Sequence, residues 1–108
     1  MSPTQLVEAL NRTIENERSA FYNQFGRNPT CDDPVFFDEE AKSEDPSPMQ
    51  IDHLRRYMEE LSRRLDFPPA QIYAVHKLAR QPKHLQTFDV RKAAVLEYEL
   101  AVSMLDLV

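Results

Sequence analysis

The side chains that most often bind metals or act as nucleophiles are few in this sequence. No pair among the three histidines, His53, His76 and His84, has the spacing of a helical zinc site. We expect all three at the surface or at helix edges. The single cysteine, Cys31, lies in an acidic stretch, which disfavours the thiolate form that a nucleophile needs. These residues therefore predict neither a bound metal nor covalent catalysis.

Two other features that often accompany catalysis are also weak. Carboxylate pairs occur at residues 32–33 and 39–40, but their polar surroundings indicate an exposed loop instead of a pocket framed by rigid elements. Gly26 is the only glycine, which disfavours a phosphate-binding loop. We therefore expect a protein that is not an enzyme and that has no cofactor.

One stretch has the pattern of a DNA-binding motif. Residues 61–75 resemble a helix-turn-helix, in which a small residue of the first helix precedes a turn and apolar residues anchor the second helix. Asp66 replaces the usual glycine of the turn, and aspartate tolerates left-handed backbone angles. In the second helix Gln71 is the one evident base-reading side chain. The apolar positions that match are Leu61, Leu65, Phe67, Ile72 and Val75, with Ser62 as the small residue, and the outward positions are Ala70, Gln71, Tyr73, Ala74 and Lys77.

The charge distribution is compatible with two interpretations. The net charge is −5, yet basic residues concentrate between positions 52 and 92, whereas acidic residues dominate on both sides. A contact face for nucleic acid is one interpretation, and pairing of the basic middle with the acidic N-terminal half is the other. The basic residues in question are Arg55, Arg56, Arg63, Arg64, Lys77, Arg80, Lys83, Arg91 and Lys92.

Part of the same stretch has a second resemblance. Residues 68–75, Pro-Pro-Ala-Gln-Ile-Tyr-Ala-Val, are similar to a helical segment of the small iron–sulfur subunit of respiratory NADH dehydrogenases. The cysteines that hold the cluster in that family are absent from this sequence. The resemblance therefore implies no redox function.

The apolar spacing and the capping residues predict the elements that carry these side chains. Helix 1 spans about 3–25, from a capping box at Ser2 and Gln5 to a left-handed cap at Gly26. Its polar residues are expected off the apolar stripe, namely Glu8, Asn11, Arg12, Glu15 and Glu17. A second capping box at Ser47 and Gln50 predicts helix 2 over about 48–65.

Two more helices complete the prediction. Helix 3 covers about 69–80, and helix 4 covers about 88–107 with Thr87 or Asp89 as its cap. Residues 27–47 form an acidic connecting loop, in which Asp33-Pro34 could cap a helical turn that places Val35, Phe36 and Phe37 against the core. The sequence thus predicts an all-α single domain over 1–108, a compact bundle of about four helices.

Helix 4 is apolar over more than one face, so we expect it either at the centre of the bundle or shared with a second copy. The dimer interface then comprises Leu96, Leu100, Met104 and Leu107. We expect a small regulatory or adaptor protein that binds another protein as a homodimer, for example as an inhibitor or antiactivator of a nucleic-acid-binding protein. The alternative is a helix-turn-helix transcriptional regulator that uses residues 51–80. The expected partner-binding residues are Arg55, Arg56, Arg63, Arg64, Gln71, Tyr73 and Lys77.

The sequence also suggests a cellular location. A lone cysteine excludes an internal disulfide and favours a reducing compartment. The N-terminal residues lack the basic stretch and apolar run of a signal peptide, and no segment has the roughly 18 apolar residues of a membrane span. We therefore expect a cytoplasmic protein without membrane contact.

Overall fold

A computed structural model describes residues 1–107 as four α-helices joined by one long and two short connections. The helices are α1 (Pro3–Phe25), α2 (Ile51–Leu65), α3 (Pro69–Arg80) and α4 (Phe88–Leu105), with a 3-10 turn at Lys83–Leu85 before α4. The prediction of an all-α bundle of about four helices is therefore confirmed. None of the described helices is both long enough and apolar enough to cross a membrane.

Most helix ends lie where they were predicted, because interactions between neighbouring residues fix them. The Ser2 side chain accepts from the backbone N–H of Gln5, whose own side chain accepts from the backbone N–H of Ser2. Gly26 ends α1 at φ 72°, and Asp66 ends α2 at φ 52°, so both predicted left-handed positions are observed. Thr87 caps α4 by accepting from the backbone N–H of Val90.

The predicted start of helix 2 is wrong by three residues. The backbone N–H of Asp38 donates to the carbonyl of Ser47 at 2.8 Å, and Met49 donates to Phe36 at 3.0 Å. These bonds flank an isolated antiparallel bridge between Phe37 and Pro48, so Ser47 cannot start a helix. The cap is instead Gln50, whose side chain accepts from the backbone N–H of His53 at 3.1 Å.

The connecting loop 27–47 contains no helical turn, contrary to the prediction for Asp33-Pro34. Its two phenylalanines are nevertheless buried as expected. Phe36 packs into the core formed by α2, α3 and α4, whereas Phe37 forms edge-on contacts with Phe21 and Phe25 of α1. The loop is thus held by its aromatic side chains, and most of its acidic residues are exposed.

The central helix is α3, not α4. It packs against all three other helices. Ala70 and Ala74, which the helix-turn-helix pattern placed outward, are instead both buried, and their small side chains allow this close approach. In contrast, α4 packs mainly on α3 and buries only Ala94 and Tyr98 fully. Of the two positions expected for helix 4, the central one is therefore wrong, and α4 lies at an edge of the bundle. Its predicted C-terminal bound was also two residues too long.

Candidate protein-binding surface

An apolar band runs along the outer side of α4. Leu96 and Leu100 are 56% and 57% exposed, Met104 is 67% exposed and Leu107, just after the helix, is 85% exposed. Their spacing of three or four residues places them on one side of the helix, opposite the buried Ala94 and Tyr98. The four residues expected at a dimer interface are thus all exposed, three on one side of α4 and Leu107 just beyond its end, and we call them the α4 band.

A second exposed apolar position at the start of α4 was missed. Phe88 is 75% exposed, and Leu85 in the preceding 3-10 turn is 44% exposed. Lys92, one helical turn further on, is also exposed. The signal was available in the sequence, because Phe88 lies eight residues, about two helical turns, before Leu96, which was already expected on the outer side of the helix.

The three α3 residues that were expected to bind a partner instead contact α4. Tyr73 donates to Oε1 of Glu97 at 3.1 Å, and the Lys77 ammonium forms a short ion pair with the other oxygen of Glu97. Gln71 accepts from Nε of Arg91 at 3.0 Å. The supposed recognition helix therefore uses these side chains to bind its neighbour within the bundle.

The arginines of α2 fall into two groups. Arg55 and Arg56 both bind the carboxylate of Asp52, at 3.1 Å and 2.9 Å, and Arg55 also reaches Asp106 at 3.6 Å. Arg63 and Arg64 lie exposed in the last turn, where their charge suits the helix dipole, and they form no ion pair with residues 1–107. Of the seven expected partner-binding residues, only these last two are unoccupied within the described chain.

The acidic loop 27–47 is anchored by two arginines. Arg80 of α3 donates to the carbonyls of Pro34 and Val35 at 2.9 Å and 3.0 Å. Arg27 binds Asp33 through two bonds of 2.8 Å and 2.9 Å, and this bidentate pair holds the pKa of Asp33 well below its usual range. The outward carboxylates are therefore displayed on a positioned segment. They are Asp32, Glu39, Glu40, Glu44 and Asp45.

A carboxylate at the middle of α1 faces inward, contrary to the sequence prediction. Glu17 accepts from Oη of Tyr57 at 3.4 Å and borders a cavity of about 230 Å³ that Glu39 also lines. Burial, and then the charge of Glu39, raise the pKa of Glu17 to about 7 despite the opposing charge of Arg80. The position could have been found, because Glu17 lies three residues after Ile14 and four before Phe21 on the apolar stripe.

His76 is also buried, so the expectation of a surface position was wrong for this histidine. Its ring lies 4.8 Å from that of Phe36, and Nε2 is 2.9 Å from Oγ1 of Thr13. Thr13 has one hydroxyl hydrogen, which it donates to the carbonyl of Leu10 at 2.8 Å, so Nε2 must carry the proton and donate. Burial lowers the pKa of His76 to about 4, and the ring is neutral.

The described residues contain no cluster of three or more histidine, cysteine, aspartate or glutamate side chains arranged to hold a metal ion. Cys31 is exposed in the acidic loop, and no cationic side chain is bonded to it within residues 1–107. What the structure does present is a set of surfaces: the α4 band, the anchored acidic loop and the free arginine pair of α2.

No protein-family model, curated protein or solved structure matches this chain.

Proposed function

We propose that this chain is a small non-enzymatic regulatory or adaptor protein that acts by binding other proteins, and that it forms a homodimer through the α4 band. The observation that carries the proposal is the exposure of four large apolar side chains on one side of an edge helix. Contiguous apolar surface of this kind is uncommon on monomeric proteins and is typical of interaction sites. A second copy brings the same surface, which suits a two-fold contact.

The expected strength of this dimer follows from the exposed area. Complete burial of a leucine or methionine contributes about 1.5–3 kcal/mol, so the α4 band contributes roughly 5 kcal/mol from each copy. Association costs about 4–15 kcal/mol in lost translational and rotational freedom. Two copies therefore gain roughly 10 kcal/mol and retain at most about 6 kcal/mol, so we expect a reversible dimer with a dissociation constant of tens of micromolar or weaker.

Light scattering coupled to size-exclusion chromatography tests the dimer. The natural chain should approach twice its 12.6 kDa mass as its concentration rises. Leu100→Glu places a charge in the band and should give a monomer with unchanged helix content. Val7→Glu alters an apolar residue of α1 that is exposed to the same degree, and it should leave the dimer intact. A natural chain that stays monomeric at high micromolar concentration contradicts the proposal.

The acidic loop supports a role as an inhibitor. Five outward carboxylates on a segment held by Arg80 and the Arg27–Asp33 pair present a positioned negative surface. Such a surface can compete with nucleic acid for the basic site of a binding protein, since electrostatic complementarity steers and selects partners. The proposed partner is thus a basic, nucleic-acid-binding protein.

Affinity purification from the source organism tests the partner class. The tagged natural chain should retain a basic protein. A variant with all five outward carboxylates changed to amides should lose it, although the α4 band is unaltered. Equal recovery by both chains would overturn the inhibitor role while leaving the dimer proposal in place.

The helix-turn-helix alternative has less support. Asp66 has the backbone angles that such a turn requires, and Arg63 and Arg64 are exposed. However, Gln71, Tyr73 and Lys77 are engaged by α4, so α3 would have to separate from α4 to enter a DNA groove. Retardation of duplex DNA at low salt, lost on replacing Arg63 and Arg64 by alanine, would revive this alternative.

A further inference from the structure

We propose that two copies pack their α4 helices side by side and parallel, about a two-fold axis that runs along the helices. Each Leu96 and Leu100 then meets its counterpart, and Lys92 of each copy pairs with Glu97 of the other. This inference rests on the proposed homodimer and adds the orientation of the two copies and the charges that select it.

The outer residues of α4, with Leu107 just after it, have the spacing of a coiled-coil helix pair. Ala93, Leu96, Leu100, Ser103 and Leu107 recur at alternating intervals of three and four, and all five are exposed. This alternation is the a/d pattern of a two-stranded coiled coil. Ala93 and Ser103 are small, which allows the two helices to approach closely at those levels.

Charged side chains flank this seam on both sides. Lys92 precedes the seam residue Ala93, and Glu97 follows the seam residue Leu96. In a parallel pair of helices, the residue just before a seam position contacts the residue five positions later in the partner helix. Lys92 of one copy therefore lies beside Glu97 of the other. Both cross-pairs of the dimer therefore join opposite charges.

The two side chains are also suitably placed to form this pair. Lys92 is exposed and forms no ion pair within residues 1–107. Glu97 is held in position by Tyr73 and Lys77, yet half of its side chain remains exposed. A preordered acceptor loses less conformational entropy on pairing than a mobile one.

The antiparallel arrangement is disfavoured by charge. Full overlap of the two α4 bands in that orientation requires Leu96 of one copy to face Leu107 of the other. The same register brings Glu99 of each copy towards Asp106 of its partner, and these are like charges, of which Asp106 is partly neutralised by Arg55 at 3.6 Å. The parallel arrangement buries the same apolar residues without this repulsion.

Disulfide trapping distinguishes the orientations. In a Cys31→Ser background, which removes the native thiol, Leu96→Cys should form a disulfide-linked dimer by itself under mild oxidation, because the two thiols face each other. Glu60→Cys, exposed on α2, is the control and should not link. If instead Leu96→Cys links only when mixed with Leu107→Cys, the dimer is antiparallel and the inference is wrong.

Light scattering on the same variants under reducing conditions separates the two claims. A chain that remains monomeric at every concentration refutes the homodimer itself. A dimer in which Leu96→Cys fails to link refutes only the parallel arrangement.

A charge variant gives an independent check of the Lys92–Glu97 pair. Lys92→Glu replaces two attractive contacts per dimer by repulsive ones and should weaken the dimer about tenfold at low salt, with a smaller effect at high salt. Lys83→Glu makes the same change at an exposed site outside the seam and should change the dissociation constant far less. Equal weakening by both variants would contradict the assigned pair.

Discussion

Replacing Glu17 by glutamine should stabilise the chain at neutral and alkaline pH, and the gain should vanish in acid. The pKa of this half-buried carboxyl is about 7 in the folded chain, against an ordinary value of 4.5. Between these two pKa values, the Glu17 carboxyl is protonated in the folded chain and ionised in the unfolded chain. The stability supplied by the protonated carboxyl therefore falls as the pH rises. The difference between the two pKa values lowers the free energy of unfolding at pH 8 by roughly 3 kcal/mol relative to acid.

His76 produces the opposite dependence over nearly the same range. Its pKa is about 4 in the folded chain, against an ordinary value of 6.5, so the unfolded chain binds a proton that the folded chain does not. Stability from the neutral ring is present above pH 6.5 and is lost as the pH falls towards 4, again by roughly 3 kcal/mol. The two groups therefore offset each other between about pH 4.5 and 6.5.

Urea unfolding followed by circular dichroism measures both effects. The natural chain should show a free energy of unfolding that changes little between pH 4.5 and 6.5. Glu17→Gln should be about 3 kcal/mol more stable than the natural chain at pH 8 and equal to it below pH 4.5, so that its own profile falls steeply in acid. Glu8→Gln, at an exposed position of the same helix, is the control and should change stability by less than about 0.5 kcal/mol. A gain that is independent of pH, or a loss at pH 8, would refute the reasoning.

Three further predictions concern single side chains. Arg80→Gln should destabilise the chain by about 2–3 kcal/mol and accelerate amide hydrogen exchange in the loop 27–47, because the Arg80 guanidinium donates to the carbonyls of Pro34 and Val35. Unchanged exchange in the loop would show that Arg80 does not anchor it. Tyr98→Phe should keep or raise stability by about 1 kcal/mol in thermal melts, because the buried hydroxyl has no partner in residues 1–107, and a clear loss would indicate an unrecognised bond. Asp66→Gly should stabilise the chain by up to about 1 kcal/mol, as glycine adopts φ 52° without steric cost, whereas a loss would show that the carboxylate is needed.

The sequence predicts the elements well where the deciding interactions are local. The start of α1 depends on Ser2 and Gln5, which are three residues apart, and its end depends on Gly26. The start of α2 depends on a pairing beyond the reach of a capping pattern, because the bridge of Phe37 to Pro48, eleven residues later, displaces the Ser47 cap. A local capping pattern contains no information about that pairing.

The position of each helix in the bundle was harder to predict. Composition marks α4 as apolar, but it does not tell which of its faces find neighbours within the chain. The small residues Ala70 and Ala74 make α3 the helix that others can approach closely, and this depends on packing. The four exposed residues of the α4 band are a consequence of the same arrangement.

The positions of the polar residues could be predicted only in part. Glu17 lies on the apolar stripe of α1, so a stricter use of helical spacing would have placed it inside. His76 lies four residues after the buried Ile72, so helical spacing would have placed it inside as well, although its contacts with Thr13 of α1 and Phe36 of the loop depend on the fold. Three of the nine basic residues between positions 52 and 92 form ion pairs, and their partners Asp52, Glu97 and Asp106 lie outside the acidic N-terminal half. Arg80 does contact that half, through the carbonyls of Pro34 and Val35.

Amide NMR spectra of the natural chain over a range of micromolar concentrations test the central claim most directly, because they report where the surface of one copy meets another. We predict concentration-dependent shifts at Leu96, Leu100, Met104 and Leu107, with none at the equally exposed Val7. Spectra that do not change with concentration, or shifts confined to helices other than α4, would contradict the assignment of this helix as the binding surface.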